Sequence, residues 1–273
     1  MRIGIIQSSP IFGERIRNVA AALGLASDHE ADLWVLPEFF ATGYNFADHD
    51  EVEQFSESIP DGPTVAALAH FASEHRCFLV AGIPERTSSG VYNSAVLVGP
   101  AGYVDTYRKI HLFGAEKKWF LPGDRPFAVH DIGPARVGIM ICFDHLFPEA
   151  ARTLALEGAE ILAHPANLVL PDLAQQTMAV RALENGVYTA TANRVGQESR
   201  SGTVLRYTGQ SQIVAPNGKI LVRLSSDQAE AAVVDVDIAE ARDKSLTSRN
   251  DKLGDRRPTF YRLGGKKEDQ ANP

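Results

Sequence analysis

The stretch Val137-Gly138-Ile139-Met140-Ile141-Cys142-Phe143-Asp144-His145-Leu146-Phe147-Pro148-Glu149 joins two kinds of pattern. Its first six residues form a run of strand length that is apolar throughout. Unbroken runs of this kind suggest a strand covered on both faces. Six residues beyond Cys142, Pro148 opens a helical pattern that continues to Glu157, with Pro in the first turn and Gly158 just past the end. A covered strand followed by a helix predicts an α/β fold.

Runs like the first recur at 3–7, 33–36, 77–83, 94–98, 160–164, 188–193, 211–215 and 231–236. Helical patterns lie between several of them. Ile16, Val19, Ala20 and Leu23 share one predicted helix face, and Val65, Leu68, Ala69 and Ala72 share another within 64–75. A further helix is predicted from Asp172, read as its N-cap, to Asn185, with Gly186 as the stop. The turn signals Gly99-Pro100-Ala101-Gly102 and Pro216-Asn217-Gly218 predict hairpins, so a purely parallel sheet is not expected. No linker-like or low-complexity stretch divides the chain, and residues 1–273 are expected to form one domain. From Ala239 onward the sequence turns polar and loses periodicity. That predicts either a surface-draped tail or an arm packed on a partner subunit.

Composition narrows the function class. Hydrophobic residues at 44% and charged residues at 22% fit a soluble globular protein. The net charge of −7, with basic residues clustered only in pairs such as Lys117-Lys118, Arg256-Arg257 and Lys266-Lys267, predicts neither a nucleic-acid nor a membrane partner. No apolar run approaches the roughly 20 residues of a spanning helix. The chain opens on a strand pattern without signal-peptide architecture, and its two cysteines are too few for a disulfide framework. A reducing, cytoplasmic setting is expected, which would keep a thiol reactive.

Three reactive side chains stand at or just after strand-like runs: Glu38 after 33–37, Lys109 after 103–108, and Cys142 at the end of its own run. Sites in α/β sheets collect at strand ends. A thiol near a helix N-terminus or a lysine can have a depressed pKa. Cys142 could equally be a packed core cysteine, and its position alone leaves the two readings balanced. Glu38, flanked by apolar residues, is expected to have a raised pKa that suits a general base; a water-facing Glu is the plainer alternative. Lys109 could hold an oxyanion or simply be solvated. Glu116, seven residues on, could orient Lys109 or be a solvated charge. Cys77 begins a strand without a polar motif and is expected to pack. His111, His145 and His164 fall near the same strand ends. They carry neither a papain-like signature nor metal-ligand spacing, so satisfied structural histidines are expected.

Taken together, Leu36-Pro37-Glu38, Arg108-Lys109-Ile110-His111-Leu112 and the 138–149 stretch resemble the nitrilase superfamily of carbon–nitrogen hydrolases. His164-Pro165-Ala166-Asn167 and Arg181-Ala182-Leu183-Glu184-Asn185 extend the resemblance over nearly the whole chain. It implies a four-layer α-β-β-α sandwich and a catalytic Glu–Lys–Cys triad with a second Glu, which map by motif to Glu38, Lys109, Cys142 and Glu116. It also implies an oxyanion held by Lys109 and the Phe143 N–H, and no metal or organic cofactor. A homodimer or larger homo-oligomer is implied, paired through the helices after 148 and 172 and through a C-terminal arm over 239–273. The implied reaction is hydrolysis of a small aliphatic amide or carbamoyl compound through a cysteine thioester, with a nitrile as the alternative substrate. Tyr44, Phe113, His145 and Asn167 are candidates for the substrate pocket. N-carbamoyl-D-amino-acid hydrolases of this superfamily carry Arg three and four residues after the nucleophile. His145 and Leu146 stand there instead, so an α-carboxylate substrate is not expected. A non-catalytic binding protein would have no need of the intact Glu–Lys–Glu–Cys set, and the membrane acyltransferase branch would need a spanning stretch.

Overall fold

The computed structural model describes residues 1–200 and 202–261. In chain order, β1 (Arg2–Gln7) leads into α1 (Arg15–Ser27), β2 (Leu33–Val35), α2 (His49–Phe55) and α3 (Pro63–His75). Next come β3 (Phe78–Thr87), β4 (Gly90–Gly99), β5 (Gly102–Arg108), α4 (Glu116–Trp119), β6 (Val129–Asp131) and β7 (Arg136–Ile139). A 3-10 turn over Cys142–Leu146 precedes α5 (Pro148–Leu156), β8 (Ile161–Pro165), α6 (Leu173–Asn185) and β9 (Tyr188–Ala192). The remainder comprises β10 (Gln197–Arg200), β11 (Thr203–Arg206), β12 (Gln212–Val214), β13 (Ile220–Arg223), β14 (Glu230–Asp235), α7 (Ala239–Arg242), β15 (Ser245–Thr247) and β16 (Asn250–Asp251), before a short 3-10 turn at Pro258–Phe260.

Two six-stranded sheets carry the fold, in the orders β14-β1-β2-β3-β4-β5 and β13-β12-β9-β8-β7-β6. Each has a parallel centre, β1-β2-β3 in one and β7-β8-β9 in the other, flanked by antiparallel strands. The inner faces pack on each other: Ile5, Val35, Val80 and Leu97 from the first sheet share one cluster with Val137, Ile161, Ala190 and Ile213 from the second. The first sheet's outer face packs against α1 and α3 through Trp34, Leu36 and Leu79 with Ala22, Leu68 and Ala72. On the second sheet, Met140 and Leu162 meet Ala151 and Leu154 of α5 and Met178 of α6. This is an α-β-β-α sandwich, as expected. Strands covered by helices on one side and a sheet on the other have no wet face, which is why their sequences run apolar without alternation.

Local features follow the sequence closely in places and depart in others. The turns at Pro100-Ala101 and Asn217-Gly218 do close hairpins, and Gly186 ends α6 in the left-handed conformation. Asp172 occupies the N-cap position of α6, but its side chain caps nothing. The face expected of α1 is rotated: Asn18, Val19, Ala22 and Ala26 are buried, while Ile16 is 87% exposed. The strand expected over 77–83 runs on to Thr87, and β4 starts at Gly90 rather than at 94. Glu85 interrupts the apolar pattern there, yet it lies buried because Arg108 at 2.5 Å and the Ser94 hydroxyl at 2.6 Å satisfy its carboxylate. The strand expected to end at Cys142 stops at Ile139, and Cys142 instead begins the 3-10 turn. Cys77 is buried in the α1–α3 cluster.

The C-terminal segment to residue 261 folds back on its own chain. Ala241 is buried, Arg242 pairs with Glu160 at 2.6 Å, and Lys244 Nζ donates to the Gly186 carbonyl. Residues 262–273, including Lys266-Lys267 and the rest of the expected arm, lie outside the described residues. Among the described residues no helix is long and apolar enough to cross a membrane.

Candidate active site

Four strand ends converge on one point. β2 and β5 of the first sheet deliver Glu38 and Lys109, while β7 and β8 of the second deliver Cys142 and Asn167. Glu38 and Lys109 are wholly buried, and Glu116 at the start of α4 is nearly so. Lys109 Nζ donates to Glu38 Oε1 and to Glu116 Oε1, each at 2.8 Å. Asn93 Nδ2 donates to the same Glu38 oxygen at 2.7 Å. Tyr44 Oη donates to Glu116 Oε1 at 2.5 Å, and the Phe113 N–H donates to Glu116 Oε2 at 3.1 Å. One ammonium thus lies between two carboxylates whose remaining partners are neutral donors. Asn167 links Glu38 and Cys142. Its Nδ2 donates to the Glu38 carbonyl at 2.8 Å, and its own carbonyl lies 3.9 Å from Cys142 Sγ. Three buried oxygens of these residues are left with no hydrogen-bond partner among the described residues, Glu38 Oε2, Asn93 Oδ1 and Asn167 Oδ1.

The turn carrying Cys142 is held by side chains. Cys142 has φ of 42°, a left-handed conformation uncommon for a residue with a Cβ. Asp144, fully buried, accepts from the Ile141 N–H at 2.8 Å and the Tyr107 hydroxyl at 2.7 Å. Its other oxygen takes the His111 N–H at 3.3 Å and pairs with His111 Nδ1 at 2.7 Å. One carboxylate therefore ties the turn at Cys142 to both sides of Lys109. His164 Nε2 lies 2.9 Å from the Cys142 carbonyl, with its Nδ1 on Thr191 Oγ1. His145 Nδ1 meets Thr177 Oγ1 at 2.6 Å. All three histidines have structural partners, and no cluster suited to a metal ion occurs among the described residues.

Electrostatics sets the protonation states. Burial raises the Glu38 pKa, and the attraction of Lys109 offsets this only in part. Burial alone would lower the Lys109 pKa, but the charges of Glu116 and Glu38 outweigh it and keep the ammonium firmly protonated. Cys142 corrects the expectation of a depressed thiol. Burial, with the negative charge of Glu38 next, pushes it well above its ordinary value despite Lys109. That shift favours the thiol over the thiolate at Cys142. Burial holds His164 and His145 neutral, with pKa values lowered to about 4 and about 3.

Cys142 opens onto a narrow cleft of about 30 Å³, walled by Phe113, Phe143, His145, Asn167 and the apolar residues Leu168, Val169, Leu170 and Leu173. Of the residues expected at the substrate, Phe113, Phe143, His145 and Asn167 line this cleft. Tyr44 does not: it sits behind Glu116 as a hydrogen-bond donor. Sequence reading passed over Asn93, Asp144 as a clamp, and the apolar run Leu168-Val169-Leu170. The last carries a usable signal, because three apolar residues directly after a polar strand end need a wall to form.

The chain is similar to known proteins over most of its length. The sequence profile of the carbon–nitrogen hydrolase family matches residues 2–244. A nitrilase of Pyrococcus abyssi is 45% identical over 264 residues, covering 96% of this chain and 99% of its own. A carbon–nitrogen hydrolase from Helicobacter pylori G27 has a similar structure, with a TM-score of 0.84, 26% identity and 96% of each chain covered. A mutant of the amidase from Nesterenkonia sp. AN1 carries the acetamide moiety of fluoroacetamide covalently on its active-site cysteine. It matches with a TM-score of 0.75 and 27% identity, over 95% of this chain and 94% of its own.

Proposed function

The chain belongs to the carbon–nitrogen hydrolase family, and from that premise we propose that it hydrolyses the C–N bond of a small, uncharged aliphatic amide through a thioester on Cys142, releasing ammonia. The observation that carries this reading is the division of labour on Glu38. One oxygen is fixed by Lys109 and Asn93, and the other is free to accept a proton beside a thiol that is protonated at rest.

Glu38 Oε2 takes the thiol proton and the sulfur attacks the amide carbon. An ammonium has three donors, and Lys109 commits two to carboxylates, which leaves one for the developing oxyanion. The Phe143 N–H is assigned as the second oxyanion donor. Glu38 returns its proton to the departing ammonia, takes one from the water that attacks the thioester, and passes it to the Cys142 sulfur as the C–S bond breaks, so the acid leaves and both groups are restored. Glu116 holds the ammonium in place throughout. The cleft has room for roughly two or three water-sized groups, the size of a carboxamide. No cation lines it to receive a carboxylate: His145 is neutral, and the Arg181 guanidinium is engaged with the His145 and Leu146 carbonyls and with Glu184.

A nitrile, passing through a thioimidate, is the second reading, favoured by the name of the 45%-identical relative. Asn167 Oδ1 weighs toward the amide, since this unpartnered acceptor suits a carboxamide N–H that a nitrile lacks. The test is ammonia release from a panel of amides, carbamoyl compounds and nitriles, alongside Cys142→Ala. Nitrile turnover without amide turnover reverses the ranking. Equal activity in Cys142→Ala refutes the mechanism.

A further inference from the structure

Beside the narrow cleft at Cys142 lies a larger chamber of about 290 Å³ that the proposed chemistry does not use. Tyr44, Phe46, Trp119, Phe120 and Leu205 form its walls, and Glu116 borders it. Phe113 is the one residue lining both spaces. Its ring tilts against Phe143 at 5.2 Å between centroids, and it is only partly buried. Its backbone is anchored, because its N–H donates to Glu116. Gly114 follows at φ of 51° with open space around it. The side chain can therefore turn about its own χ angles while the main chain and Glu116 stay in place.

We propose that Phe113 is a partition between the reacting centre and an acyl-chain chamber, and that the preferred substrates are primary amides with an extended, uncharged aliphatic or aromatic acyl tail. This rests on the amide-hydrolase reading and deepens it. Turning the ring aside joins the two spaces, so a tail leaving the carbonyl at Cys142 can lie along aromatic walls in a chamber whose rim, at Gly114, Ala115, Lys118 and Thr203, is exposed. Aromatic and aliphatic walls favour an apolar tail through the area they remove from water. An anionic tail would lie against Glu116, whose two oxygens already hold three donors, while the chamber's cation, Lys118, is solvent-exposed at its edge. A cationic tail would compete with Lys109 for the same carboxylate and disturb the oxyanion site.

The experiment measures kcat/KM for straight-chain primary amides from acetamide to hexanamide, plus phenylacetamide, in wild type, Phe113→Ala and Leu205→Trp, with Cys142→Ala as background. The readout is the long-to-short ratio within each protein, which cancels general losses of activity. Removing the partition should raise that ratio roughly tenfold, and filling the chamber with indole should lower it by a similar factor. If amides are inert, the matching nitriles supply the same ratio. Opposite shifts in the two variants support the partition. Shifts in the same direction, or below about twofold in both, overturn it. Those results with activity still dependent on Cys142 leave the hydrolase reading standing, whereas activity that survives in Cys142→Ala removes the hydrolase reading first.

Discussion

Replacing Gly82 with alanine should disable the enzyme while leaving every side chain assigned to its chemistry in the sequence. Gly82 lies in β3 directly against the segment that carries Glu38. A Cβ there would stand 2.4 Å from Glu38 Cα and 2.9 Å from the Phe39 nitrogen, where ordinary contact begins at 3.4 Å. Both obstacles are backbone, so neither can swing away. The segment is also held in place, since the Gly82 N–H donates to the Pro37 carbonyl at 3.2 Å and Phe39 sits at φ of 49°. Relief needs the two chains to part by about 1 Å, and a displacement of that size at a reacting group can cost about 10²-fold in rate. The same movement stretches the 2.7 and 2.8 Å bonds from Asn93 and Lys109 to Glu38 beyond useful length. Overpacking of this kind costs about 1–3 kcal/mol in stability, so the variant should still fold. Initial rates of ammonia release, read beside a thermal melt, separate the two effects. Gly24→Ala, with nothing within 4 Å of its new methyl group, is the control and should keep full activity. A folded Gly82→Ala enzyme within about threefold of the wild-type rate would refute the argument that backbone packing sets the position of Glu38.

Three further outcomes are expected. Lys109→Met strands Glu38 and Glu116 together in the interior and should cost about 3–5 kcal/mol at pH 7. Urea unfolding should show the deficit shrinking as the pH is lowered and Glu38, its pKa raised by burial, takes up a proton; a deficit independent of pH would contradict this. In wild type, the acid limb of kcat/KM should fall at a pH above the ordinary carboxylate value of 4.5, because the base must be ionised and burial raises its pKa; a midpoint at or below 4.5 counts against Glu38. His164 is neutral when folded, with a pKa of about 4 against 6.5 unfolded, so its contribution is complete above pH 6.5 and is lost as the pH falls toward 4. That loss amounts to about 3 kcal/mol, and His164→Gln should flatten the stability profile across this window in urea titrations.

Glu38, Lys109 and Cys142 stand at or just after strand-like runs, a position that alone left each of them open to a plainer reading, and it was the motifs around them taken together that singled them out. Apolar runs without alternation likewise told of sheets covered on both faces. What the sequence hid depended on distance or on competing magnitudes. Asn93 reaches Glu38 across 55 positions, and nothing in its local pattern marks it. The thiol pKa turned on whether burial or Lys109 prevails, a contest that the presence of a nearby lysine cannot decide. On α1, Ile16 outranks Asn18 in hydrophobicity, yet Asn18 is the buried one because its amide satisfies the Ile11 and Ala41 carbonyls. Hydrophobic periodicity alone gave the rotated face.

The convergent side chains come from both halves of the sandwich, Glu38 and Lys109 from one sheet and Cys142 and Asn167 from the other. Glu38 and Cys142 are therefore joined mechanically through the layer of Ile5, Val35, Val137 and Ile161 between the sheets. That layer acts as the gauge block of the instrument. Any sliding of one sheet over the other shifts Glu38 relative to Cys142, whereas α1 and α3 pack on the outer face of the first sheet alone. Variation during evolution should accordingly be cheap under α1 and α3 and dear between the sheets, even where the volume lost is the same.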